Sequence, residues 1–358
     1  MLRKFSVTNF MNFRKTVCID LTDVRGYGFN THCIRNGLVD KAIIIGRNGS
    51  GKTNLSLALS DIARILTDGP INIRLLDPSL YEKGSPAAFV FEFQQGERII
   101  RYEYSRSDPE TIVYESLHLN GELAFVRDGE AVDCSNLGRH GLRILDTDFT
   151  DARYSVLGSI RSEGPDADSP IAFMEDFVYR MVFVRTDAPE YETTEQYILS
   201  YGLVEDFQGF LKDTAGLDMR LEAVRPDGTY GTLAQRIGDR LLYFGKTASS
   251  GTKALMTYYR LKHLYGGMSF LYMDCPETFL HHEAAEKIVR DVVSQGTFQA
   301  LISTRDTGLV NNRILRPDCC FLLTESGLRS FPNRTSRELR EGHNLEKLLR
   351  GGEFDDDA

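Results

Sequence analysis

The chain has 358 residues, enough for about two domains or one composite domain with a sizeable core. Lys and Arg total 42 against 51 Asp and Glu, and the net charge of -9 argues against a surface that coats nucleic acid or anionic lipid throughout, while leaving room for a local basic patch. With 42% hydrophobic and 26% charged residues, and no apolar run near the roughly 18 to 20 residues of a membrane span, the composition is that of an ordinary soluble globular protein.

Met1-Leu2-Arg3-Lys4-Phe5 lacks the apolar core of a signal peptide, so the expected compartment is cytoplasmic. The next residues predict a strand carrying Phe5, Val7 and Phe10, a bend at Met11-Asn12-Phe13, and a second strand carrying Val17, Ile19 and Leu21. A short buried strand, Ala42 to Ile45, runs into Gly46, and Leu55, Leu59, Ile62 and Leu66 then form one apolar helix stripe. From 88 to 127 the period falls to two, predicting an antiparallel meander. Residues 128–169 are rich in Asp, Gly, Ser and Arg and mark a boundary or insertion, with Ser162 to Ser169 as the clearest loop. Residues 170–222 read as mainly helical, on the spacing of Phe173, Phe177 and Met181 and then of Leu203, Phe207, Phe210 and Leu211. Beyond 240 strand and helix alternate again: Phe270 to Met273, 280–294, Gln299 to Thr304 and Cys319 to Leu323. The expected division is 1–127, a mostly helical insertion at 128–239, and 240–358.

Gly46-Arg47-Asn48-Gly49-Ser50-Gly51-Lys52-Thr53 fits G-x-x-x-x-G-K-[ST] between an apolar strand and an amphipathic helix, the context a P-loop requires. Its glycines let backbone N–H groups converge on phosphates, Lys52 reaches the β- and γ-phosphates, and Thr53 is a ligand for Mg²⁺. The acidic metal partner is expected at the end of a second buried strand, and Asp274 closes Phe270-Leu271-Tyr272-Met273. Between them Ala248-Ser249-Ser250-Gly251-Thr252-Lys253 opens a helix, which by itself reads only as a cap.

Other chemistry is weaker. The six cysteines form no C-x-x-C pair, and His281-His282-Glu283 lacks the second zincin histidine, Glu286 standing in its place. Asp146-Thr147-Asp148 reads as solvated turn chemistry rather than a nuclease metal site. Arg313, Arg316, Arg329, Arg334, Arg337 and Arg340 form either a solvated face or a basic surface.

Together these motifs resemble the ABC-type ATPases of the SMC, RecF and OLD group, over 1–127 and 240–354. The resemblance implies an α/β P-loop NTPase fold of ABC/SMC-like type, a mixed sheet with an antiparallel β lobe. Ser249, Ser250 and Gly251 fall on the signature motif, which in that group caps the ATP held by a second copy, so ATP acts as the glue of a homodimer or higher oligomer. Arg316-Pro317-Asp318 with Glu338 to Lys347 resembles the C-terminal end of AAA-type ATPases from prokaryotic anti-phage and abortive-infection systems, which control a separately encoded nuclease or toxin. The other reading is a RecF-like ATPase that binds DNA across the dimer.

Two positions depart from the pattern. Where the group has a water-activating Glu, Asp274 is followed by Cys275, leaving Glu277 two residues on as the substitute acid. Where the group has a switch histidine, Ile302-Ser303-Thr304 is followed by Arg305, which can still contact a γ-phosphate. Hydrolysis is expected to be slow or lost.

Overall fold

A computed structural model describes residues 1–67, 84–145, 149, 151–165, 168–185, 191–225 and 231–355. Asp146-Thr147-Asp148 and the Asp166-Ala167 part of the 162–169 loop lie outside the described residues.

The amino-terminal strands form as their period of two requires: β1 (Leu2–Thr8) and β2 (Val17–Asp20) are antiparallel, and a Phe10–Phe13 bridge closes the bend near them. A short hairpin of β3 (Ile34–Arg35) and β4 (Leu38–Val39) leads into β5 (Lys41–Gly46), buried along its whole length, and then into α1 (Lys52–Thr67). The meander follows as β6 (Ala87–Gln95), β7 (Arg98–Arg106), β8 (Ile112–Leu119) and β9 (Glu122–Asp128). It continues past 127 into β10 (Ala131–Asp133), giving a seven-stranded sheet in the order β10-β9-β8-β7-β6-β1-β2. One face of this sheet is aromatic: Phe5 packs on Phe91 at 4.6 Å between ring centroids, and Phe89 stacks on Tyr104 at 5.0 Å. Each such buried ring contributes roughly 1.5–3 kcal/mol.

The segment 128–239 is mixed rather than mostly helical. It holds the hairpin of β11 (Leu142–Ile144) and β12 (Ile160–Ser162), then α2 (Pro170–Tyr179), β13 (Met181–Val184), α3 (Tyr191–Ser200) and α4 (Val204–Ala215). β14 (Leu221–Val224) and β15 (Thr232–Ile237) follow, and β16 (Arg240–Tyr243) completes their three-stranded antiparallel sheet. Met181 shows why the spacing misled: helical spacing extends through it, but α2 stops at Tyr179 and Met181 opens a strand. A four-residue apolar run carries no period that separates strand from helix.

β13 in turn belongs to the central sheet. After α5 (Phe244–Thr247) and α6 (Ser250–Lys262) come β17 (Phe270–Asp274), α7 (His282–Ser294), β18 (Gln299–Thr304), β19 (Cys320–Thr324), β20 (Gly327–Ser330) and α8 (Leu345–Arg350). The order is β13-β17-β18-β5-β19-β20, parallel except for the β19–β20 pair. A parallel sheet needs both faces covered, and the continuous apolar runs of β5, β17 and β18 match that requirement.

α1 ties the two sheets together. Its stripe of Leu55, Leu59 and Ile62 is buried, and from the same helix Asp61 accepts hydrogen bonds from Arg106 Nη2 at 2.8 Å and Tyr104 Oη at 2.9 Å, all fully buried. Two of the six carboxy-terminal arginines are structural as well: Arg316 pairs with Asp318 through two 2.8 Å bonds, and buried Arg334 donates to Phe354 O at 3.1 Å.

Candidate functional site

The site lies beyond the carboxyl ends of β5, β17 and β18, where ligands of open α/β sheets bind. β18 stands between the strand that enters the P-loop and the strand that ends at Asp274. The loop can take its path only with glycine at two points. A Cβ on Gly46 would stand 2.5 Å from Ser50 Oγ and 3.0 Å from Leu323 O. Gly51 has φ +104, and a Cβ there would stand 2.6 Å from Phe13 Cε1 and 2.8 Å from Asn12 Oδ1. The first N–H groups of α1, which have no acceptor within the helix, therefore end up at the rim of a cleft of about 350 Å³.

Asn12, Asn48, Gly49, Gly51, Lys52, Thr53 and Asn54 line one side of this cleft, and Asp274, Cys275, Thr278 and Arg305 the other. Lys52 is folded onto the loop, donating to Gly46 O at 2.7 Å and Arg47 O at 3.0 Å, while Tyr272 Oη donates to Lys52 O at 2.9 Å. Thr53 Oγ1 donates to Asp274 Oδ2 at 2.7 Å, and Ser303 Oγ donates to Asp274 Oδ1. Ser50 Oγ is buried without a hydrogen-bond partner among the described residues. A hydroxyl and a carboxylate oxygen side by side, beside an ammonium, form the hard-oxygen donor set that suits a divalent cation carrying phosphates.

Cys275 occupies the position of the missing acid, in a left-handed conformation at φ 48 and ψ 64. Burial, and then the charges of Asp274 and Glu277, push its thiol up to about 12, which favours the protonated form at neutral pH. Glu277 is not part of the cleft lining; its Oε1 accepts the Arg305 N–H at 2.8 Å. Arg305 does line the cleft.

Ser249 N-caps α6, its Oγ accepting from Thr252 N at 3.1 Å, and the missing Cβ of Gly251 admits Phe279 O to within 2.8 Å of where that carbon would be. Ser249 and Ser250 are exposed, and Ser249, Ser250 and Gly251 are not among the residues lining the chain's own P-loop cleft. Sequence reasoning missed Asn12 and Ser303 as parts of the site. Asn12 donates to Ser50 O at 3.3 Å and accepts from Asn54 Nδ2 at 2.6 Å. The signals were there: an asparagine in a tight bend, and a hydroxyl near the end of an otherwise apolar strand.

Residues 41–131 match the family model described as "AAA domain, putative AbiEii toxin, Type IV TA system". No curated protein sequence matches the chain. Among solved structures, the Smc head domain with an extended coiled coil bound to the C-terminal domain of ScpA, derived from Pyrococcus furiosus, is similar at a TM-score of 0.45 and 13% identity, covering 98% of each chain. The SMC head domain from Thermotoga maritima gives 0.41 and 14%, over 92% of this chain and 98% of that one. The recombination mediator protein RecF-ATPrS gives 0.39 and 12%, over the same shares. The AAA-domain match spans β5 with its P-loop, α1 and the meander, and Asp274 ends β17 with β18 between the two strands, so the chain has the α/β fold of a P-loop NTPase with an AAA-type match over residues 41–131.

Proposed function

We propose that the chain is an ATP-dependent switch: Mg²⁺-ATP binds in the P-loop cleft, holds two copies together, and so controls a separately encoded effector, a nuclease or toxin, in cytoplasmic anti-phage defence. The observation that carries this reading is the Thr53–Asp274 hydrogen bond at 2.7 Å, which sets a hydroxyl and a carboxylate together beside Lys52 at the mouth of α1. Bound there, Mg²⁺ supplies neutralisation of the β- and γ-phosphate charge. Lys52 and the backbone of 46–51 hold the phosphates, Asn48, Gly49 and Ser50 among them, and Thr53 with Asp274 holds the metal.

The dimer is supported by the place of the signature residues. Ser249, Ser250 and Gly251 stand at an exposed helix start outside the cleft of their own chain, so the nucleotide they cap belongs to another copy. The effector role is supported by the description of the matched family, which names a toxin of a type IV system, and by the resemblance of the 316–347 stretch. Turnover is slow because Cys275 stands where an acid is needed, and Arg305 meets the γ-phosphate.

Calorimetric titration of the purified chain with Mg²⁺-ATP, beside Lys52→Ala, tests the binding step. Losing the ammonium lowers affinity by about tenfold or more. Sedimentation with ATP, ADP or neither tests the switch, and a dimer is expected with ATP alone. Equal affinity in Lys52→Ala, or an oligomeric state indifferent to nucleotide, sinks the reading.

A further inference from the structure

Glu277, the acid two residues after Cys275, is attached to Arg305 and not to the cleft. Arg305 follows β18 directly, and its side chain is 47% exposed. Its N–H donates to Glu277 Oε1 at 2.8 Å, and its Nε lies 4.0 Å from the same oxygen. The Glu277 side chain is only 8% exposed, and Oε2 is buried with no hydrogen-bond partner among the described residues.

A general base must come within about 2.6–3.2 Å of the proton it takes. A carboxylate with one oxygen on a backbone N–H and the other buried outside the cleft lining is not placed for that. A buried carboxylate oxygen without a donor is also costly, and the cation on the other side of the carboxylate, 4.0 Å from Oε1, is the Arg305 guanidinium. That guanidinium carries several donors in a planar fork, so it can leave a carboxylate for a phosphate without changing its own charge.

We infer that Glu277 is a positioning residue: it fixes the turn that carries Arg305 and gives the guanidinium a resting partner, so that Arg305 distinguishes ATP from ADP by exchanging Glu277 for the γ-phosphate. The inference rests on the proposed binding of ATP in the cleft. It replaces Glu277 as water-activating acid with Glu277 as the anchor of a sensor.

The test is the ratio of ATP to ADP affinity, measured with Mg²⁺ on the full chain for the wild type, Arg305→Ala, Glu277→Ala, Glu277→Gln and the double alanine variant, with thermal midpoints to separate local effects from unfolding. Arg305→Ala and Glu277→Ala should each lower the ratio by about tenfold, and the double variant by no more than either alone. Glu277→Gln keeps an oxygen for the Arg305 N–H, so its ratio, and any phosphate release, should stay within about threefold of wild type. A ratio that survives Glu277→Ala, or a loss in Glu277→Gln as complete as in Glu277→Ala, overturns the inference. A wild type that binds both nucleotides without preference overturns it while leaving phosphate binding intact. A wild type that binds neither defeats the switch reading itself.

Discussion

The two sides of the cleft solve the same backbone problem differently. On the phosphate side the left-handed turns fall on glycines, Gly49 at φ +79 and Gly51 at φ +104, and at Gly51 the space a Cβ would need is filled by Asn12 and Phe13. On the opposite side the left-handed residue is Cys275 at φ 48, which carries a side chain into a conformation that disfavours one. On the proposed reading the first side holds phosphate, with Asp274 across the cleft completing the metal site, while on the second side Cys275 and Arg305 stand where the resemblance implies the groups of turnover. Holding a phosphate depends on backbone N–H groups, an ammonium and a metal site. Splitting one depends on an acid at a single position, and a chain can lose that acid without disturbing the rest.

The sharpest way to break this contrast is Gly51→Ala. The added carbon meets Phe13 and Asn12 at 2.6 and 2.8 Å in a conformation alanine avoids. We expect a loss of about 2–4 kcal/mol in urea unfolding, together with loss of nucleotide binding. A variant of wild-type stability that still binds ATP would show that the loop tolerates what its geometry forbids. A smaller and opposite effect is expected across the cleft. Cys275→Gly releases the left-handed strain and should raise stability by about 0.5–1 kcal/mol after the entropy of the new glycine is counted, leaving ATP affinity unchanged. Lower stability would mean that the contact of Sγ with Ser303 Oγ, at 3.7 Å, outweighs the strain.

What the sequence disclosed divides along the same line. The P-loop, its entering strand and the Leu55–Leu59–Ile62 stripe are local, so spacing alone exposes them. Asp61 gave no such sign, because its partners Tyr104 and Arg106 lie 43 and 45 residues further on. Glu277 was legible as an acid near Asp274, but the direction of its carboxylate is set by a backbone N–H 28 residues away. Met181 failed for a different reason: its hydrophobicity was read correctly, but not the end of the helix at Tyr179.

The weakest expected effect concerns the far side of the Arg305 turn, and it decides whether that turn is held from one end or two. His282, at the start of α7, places Nδ1 2.6 Å from Asp306 Oδ2 and Nε2 3.4 Å from Glu286 Oε2. The hydrogen bond to Asp306, helped by the charges of Asp306, Glu286 and Glu346 and opposed by burial, raises its pKa above the ordinary 6.5. A group whose folded pKa is raised stabilises fully below its unfolded value, and that stabilisation fades as pH climbs through the folded value. The ring is 45% exposed, so solvent keeps the contribution under about 1 kcal/mol. The stability difference between wild type and His282→Ala should therefore be larger at about pH 5.5 than at about pH 9. Equal differences at both would mean that Asp306 and Arg305 are placed by Glu277 and the backbone alone, and that the second side of the cleft hangs from one anchor.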